Sequence, residues 1–187
     1  DILNLIYISK HYGLNEVAEY WQKVIEINTW QLSRISKIIV EKLFGTIAGK
    51  KLAILGFSFK ANTNDTRNSA SIKICQNLLE EGAFLSIYDP KVEKNQIEKD
   101  LEISSRENDK DHTKNQWIKS DSLENAIKDS HAIILLTEWD EFKNINLDAL
   151  IKIMKKPSWI FDTRLIIKID KAQRAGFNVW QIGNQRN

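Results

Sequence analysis

Residues 51–67 read KLAILGFSFKANTNDTR. An apolar run meets a single glycine, Gly56, and then a polar loop holding one lysine and one arginine. A run of this length and composition suits a parallel strand covered on both faces. The flanking segments continue the pattern. Residues 68–81 place Ile72, Cys75, Leu78 and Leu79 on one helical face, and Gly82 closes that segment. AFLSIYDP (83–90) is a second strand, ended by Pro90, and the polar segment 91–119 is expected to be a surface loop. SDSLENAIKDS (120–130) reads as a short helix with Asp121 and Glu124 in a capping box. HAIILLTEW (131–139) is the most apolar strand, Leu147–Met154 a helix ended near Pro157, SWIFDTR (158–164) a fourth strand, 165–175 a helix and FNVWQIG (177–183) a fifth strand. Strands alternating with helices predict an α/β fold: a Rossmann-like, mostly parallel sheet with helices on both faces.

Before the sheet, residues 2–44 keep a helical period that Gly13 interrupts; Asn15 is the expected cap of the second helix and Gly45 its stop. Apolar residues from Val17 to Phe44 spread wider than one stripe, so this long helix is expected to be covered on more than one side, between two subunits. The expected division is a helical dimerisation segment, 1–47, and a sheet domain, 48–187.

Composition narrows the function classes. The chain has 187 residues, 42% hydrophobic and 28% charged, with a formal net charge of +2. A near-neutral balance supplies no global field for nucleic acid. Apolar runs stop short of membrane length and nothing reads as a signal peptide, so no membrane partner is expected. One cysteine fits a reducing, cytoplasmic setting. The first residue is Asp1 and opens directly into a helical pattern, so the chain is expected to be a piece of something longer.

Ligands of wound sheets sit outside the carboxyl ends of the strands. The residues there are Phe57–Arg67, Tyr88–Asp89, Thr137–Asp140 and Asp162–Arg164. Lys60 and Arg67, near the start of the following helix, combine a point charge with a planar fork beside free amides, an arrangement suited to a diphosphate. Arg164 joins them if the sheet order permits. The plainer reading keeps Lys60 and Arg67 as solvated loop charges, Arg67 paired with Asp65. A dinucleotide cradle needs several glycines, whereas this loop has Phe57 and Phe59 where they would sit. Asp89 either mimics the ribose-binding acid of such domains or braces the turn before Pro90. Cys75 reads as a small buried hydrophobe. His11, His112 and His131 are scattered with no metal-ligand spacing, and no metal is expected. The six tryptophans read as core or interface.

DILNL (1–5), the helix ending in KLF (42–44), LAILGFSFKANTNDTRNS (52–69), IYDPKV (87–92), TEWDEF (137–142) and IFDTR (160–164) together resemble the UDP-glucose/GDP-mannose dehydrogenase family, in that family's order and over the whole chain. The resemblance implies a C-terminal portion: the later part of a central dimerisation helix and a UDP-sugar-binding domain, in a homodimer that can assemble further. It implies NAD as cofactor and a two-step oxidation of UDP-glucose to UDP-glucuronate through a thioester on a cysteine. In the family that cysteine lies just upstream of the aspartate matched by Asp1, so this chain is predicted to be inactive alone. By the same resemblance Asp1 helps position the catalytic water and thiol, Phe59, Lys60 and Arg164 contact the UDP-sugar, and Arg67 reaches NAD. Thr163 departs from relatives that carry glycine there, which leaves the turn before Arg164 open. The alternatives are a sibling acting on UDP-N-acetyl-mannosamine or GDP-mannose, or a non-catalytic nucleotide-binding or dimerisation module.

Overall fold

The computed structural model describes residues 1–106 and 116–184. The chain opens with a helical hairpin, α1 (Ile2–His11) and α2 (Asn15–Lys42). The turn between them is closed by backbone bonds from Gly13 to the Lys10 carbonyl and from Leu14 to the Ser9 carbonyl. Asn15 does not cap α2: Leu14 holds that position, without a side-chain bond, and Asn15 is already the first helical residue.

The remainder is a six-stranded sheet: β1 (Lys51–Leu55), β2 (Phe84–Tyr88), β3 (Gln116–Lys119), β4 (Ala132–Leu135), β5 (Trp159–Asp162) and β6 (Asn178–Gln181). The spatial order is β3-β2-β1-β4-β5-β6 and every pairing is parallel. Connecting helices are α3 (Ala70–Glu80), α4 (Lys94–Leu101), α5 (Leu123–Ile127), α6 (Asp140–Lys143), α7 (Leu147–Ile153) and α8 (Ile169–Arg174). The period-two alternation of a strand sorts β1 between two cores. Leu52 and Ile54 pack with α2, α3 and α4, whereas Ala53 and Leu55 pack with α5, α7 and α8.

The segment 91–119 is a correction. It contains α4 and β3, and residues 107–115, with His112, lie outside the described residues. Only Ile97 and Leu101 of α4 are buried, one turn apart, and only Trp117 of β3. Trp117 is fully buried and its indole donates to the Ile103 carbonyl at 2.8 Å. Burying so large a side chain is worth roughly 2–3 kcal/mol, enough to seat a short, otherwise polar edge strand. A second correction concerns α5, capped by Ser122, whose hydroxyl accepts from the Asn125 amide at 3.1 Å, and not by Asp121. The segment expected as helix over 165–175 is helical only from Ile169, since Asp162 holds the preceding turn.

Two features position the functional edge. The chain leaves β1 toward β2 on one side and returns to β4 on the other, so the loops after β1 and β4 meet where the strand order reverses. Meanwhile Ile35, Ile39 and Leu43 of α2 share the sheet's core, and α2 leads through Ile47 into the start of β1. A 28-residue helix is about 42 Å long against about 17 Å for a five-residue strand. No residue of α1, and none of α2 before Leu32, joins either core cluster of the sheet, so this part of the hairpin overhangs the sheet. Among the described residues no helix is long and apolar enough to cross a membrane.

At the meeting of the loops, Gly56 has φ +91°, and a Cβ built there would stand 2.4 Å from Thr137 Cβ and 2.8 Å from its amide nitrogen. Gly56→Ala is expected to cost about 3 kcal/mol and to lower Tm by roughly 10 °C. Thermal unfolding followed by circular dichroism checks this; a Tm matching the parent chain contradicts it.

Candidate functional site

The carboxyl edge is assembled by two buried aspartates, each at the end of a strand. Asp89 follows β2 and is 1% exposed. Its Oδ2 accepts from the amides of Phe57 (2.7 Å) and Ser58 (3.0 Å), lies 3.1 Å from the Ser58 hydroxyl, and accepts from the Trp139 indole (3.2 Å). Its Oδ1 accepts from the amides of Lys91 (2.9 Å) and Val92 (3.0 Å). One carboxylate thereby joins the loops after β1, β2 and β4. Asp89 braces the turn before Pro90, the second of the two roles the sequence left open. Asp162, fully buried at the end of β5, accepts from the amides of Arg164, Ile166 and Ile167 and from the Gln181 side chain. Charge-assisted bonds from backbone amides offset the cost of burying each carboxylate.

Hydroxyls stitch the loops further. Thr137 Oγ1 donates to the Ser58 carbonyl at 2.8 Å and Thr163 Oγ1 to the Leu135 carbonyl at 2.6 Å. Arg164 Nε donates to the Leu136 carbonyl at 2.6 Å, and the Glu138 carboxylate stands 3.6 Å from the same nitrogen. Contacts thus run from Arg164 through Leu136 and Thr137 to Ser58, the residue before Phe59. The left-handed residue of the last turn is Leu165 (φ 59°), not Thr163, so the β-branched side chain sits where it carries no strain and instead bonds β4.

The expected site residues fall as follows. Phe59 is half exposed, with its amide bonded to the Asp65 carbonyl, and Lys60 is exposed beside it. Arg164, partly buried, stands on the same edge across the β4 loop. Arg67 lies at the outer end of the Lys60 loop, and its side chain is paired with Asp65 through Nε (3.0 Å) and a terminal nitrogen (2.7 Å). That pairing holds the Asp65 carboxyl down at about 2. Asp1 starts α1 on the overhanging hairpin, and its side chain caps no amide of the helix. Cys75 is fully buried in α3; burial alone pushes its thiol well up, so it is a core residue and no nucleophile.

Sequence reasoning placed Ser58, Thr137, Trp139 and Asp162 at this edge but gave them no role. Ser58 and Thr137 share a signal, a small polar residue two or three positions past a buried strand, and Asp162 is an aspartate that ends one; Trp139 carries no such signal. A groove of about 940 Å³ lies elsewhere, between α2 and β6, with Arg34, Lys42, Trp159 and Trp180 in its wall. The residues that line it include none of Phe59, Lys60, Arg67 or Arg164. Lys60 and Arg164 stand on interlocked loops at the carboxyl edge, where wound sheets commonly bind ligands.

The chain is 48% identical over 186 residues to UDP-glucose 6-dehydrogenase of Drosophila melanogaster, covering 99% of this chain and 39% of that protein. It is 44% identical over 194 residues to UDP-glucose 6-dehydrogenase 2 of Arabidopsis thaliana, covering 98% and 40%. The chain therefore spans about two fifths of the length of these relatives. The fold matches a UDP-glucose dehydrogenase from Pyrobaculum islandicum with a TM-score of 0.67 at 19% identity, over 96% of this chain and 35% of that one. The model for the UDP-binding domain of the UDP-glucose/GDP-mannose dehydrogenase family matches residues 53–169, and the chain belongs to that family.

Proposed function

We propose that the carboxyl edge of this sheet binds the diphosphate of a UDP-sugar, and that the whole protein oxidises UDP-glucose to UDP-glucuronate in two NAD-dependent steps. The observation that carries this reading is the identity of 48% along essentially the full chain with a UDP-glucose 6-dehydrogenase. The rim chemistry supports it. Lys60 supplies a mobile point charge and Arg164 a planar fork whose orientation the Leu136 bond fixes. Phe59 offers an exposed ring beside them, suited to packing on the nucleotide or sugar.

NAD supplies the hydride acceptor when bound, and the residues of the β1 loop do not fit its pyrophosphate. Gly56 has no room for backbone to be rebuilt around it, and Phe57 is fully buried where a cradle would need a second glycine. In this reading the cofactor is held by another part of the protein, with Arg67 contributing from the outer end of the Lys60 loop once its bond to Asp65 is exchanged. Asp1, on the overhang, orients the water and thiol of the reaction. The single cysteine and its burial fit a cytoplasmic protein whose reactive thiol is not Cys75.

The overhang also supports a homodimer. Leu3, Tyr7, Tyr12, Tyr20, Ile27 and Trp30 are each 61–73% exposed along α1, the turn after it and α2 as far as Trp30. So much apolar surface on two adjacent helices is an interface rather than a solvent face.

Three outcomes follow. Calorimetric titration of the chain finds UDP bound and NAD not, and Lys60→Ala weakens UDP about 10-fold or more through loss of a charged contact; a folded chain with no affinity for UDP refutes the reading. The chain alone gives no NADH from UDP-glucose and NAD, and turnover would overturn the assignment of the reactive thiol. Sedimentation equilibrium gives a dimer, and Trp30→Glu shifts it toward monomer; a monomer at high concentration refutes the interface.

A further inference from the structure

We infer that Asp89 is a positioning residue of the sugar-nucleotide site: it sets the affinity of Lys60 for the ligand by holding the backbone from Phe57 to Lys60, and never touches the ligand itself. The inference rests on the reading that Lys60 meets a UDP-sugar. At 1% exposure the carboxylate cannot reach a molecule outside the sheet edge. Its bonds run the other way, into the loop. The amides of Phe57 and Ser58 donate to it, and these are the peptide units just before Phe59 and Lys60. The Ser58 hydroxyl stands 3.1 Å from both Asp89 Oδ2 and the Lys60 carbonyl, two acceptors that share its one proton, so it sits between the carboxylate and the lysine's own backbone.

The remaining bonds fix the carboxylate in turn. The amides of Lys91 and Val92 hold Oδ1, and the Trp139 indole reaches Oδ2 from the β4 loop. Lys91 Nζ donates to the Asn62 carbonyl at 3.3 Å, so the β2 turn grips the Lys60 loop at a second point. A flexible lysine on a mobile loop would lose conformational freedom on meeting an anion; a loop already immobilised loses less, and the difference appears as affinity. The coupling is specific. Asp162, not Asp89, fixes the Arg164 turn, so removing the Asp89 charge loosens the Lys60 arm, left to Thr137 and Lys91, while Arg164 keeps its anchor.

The experiment is a double-mutant cycle on UDP binding to the chain, read by calorimetry, with circular dichroism confirming the fold of each variant. Asp89→Asn, which removes the charge and turns an acceptor into a donor, is expected to weaken UDP about 10-fold in the parent chain but only about two-fold when Lys60 is already Ala. Ser58→Ala, which deletes only the bridging hydroxyl, follows the same pattern at about three-fold, and decides the matter should Asp89→Asn fail to fold. Equal losses with and without Lys60, or unchanged affinity in folded variants, overturn the inference and leave the UDP-sugar reading intact. A parent chain without UDP affinity removes the reading and the inference together.

Discussion

Several cations at one end of a sheet repel each other, and the loops that carry them are the most easily disordered parts of an α/β domain. The constraint that overcomes both is the burial of Asp89 and Asp162 at the ends of β2 and β5. Each carboxylate gives up hydration and can recover it only through donors that arrive in fixed positions. Those donors are backbone amides of the loops themselves. The loops are thus ordered by the same interactions that make the carboxylates tolerable, and the exposed side chains at their tips inherit that order.

The apolar period of the sequence was enough to reveal the sheet, since β1, β2, β4 and β5 are apolar runs with no polar side to hide. It failed for α4 and β3, because two buried residues one turn apart and a single tryptophan leave no period to read. Ser122 displaced Asp121 as the α5 cap for a similar reason: two polar residues in succession make the first turn ambiguous by one position. At the edge, Lys60 and Arg164 were legible because cations just past strands have few structural uses. The ties between their loops were not legible. Thr137 bonds across 79 positions of chain and Trp139 across 50, and no local pattern encodes partners so far apart.

Membership of the UDP-glucose/GDP-mannose dehydrogenase family places the chain in a larger machine, of which it spans about two fifths. The helical hairpin and the sheet are not independent pieces within that span. Leu43 and Ile47 are fully buried in the same cluster as Leu52 and Ile54, so any load on the overhanging helices is felt directly by β1. Assembly through those helices and the posture of the Lys60 loop would therefore be linked mechanically through one strand.

The lone glycine after β1 has an evolutionary consequence. Where several glycines receive a ligand through bare amides, recognition is a property of the main chain, and altering it means rebuilding a turn. Here Gly56 serves the internal seam with Thr137, and the outward positions are free to bear side chains. In the proposed reading, preference among anionic partners can then drift by single exchanges at Phe59, Lys60 or Arg164 on an unchanged frame.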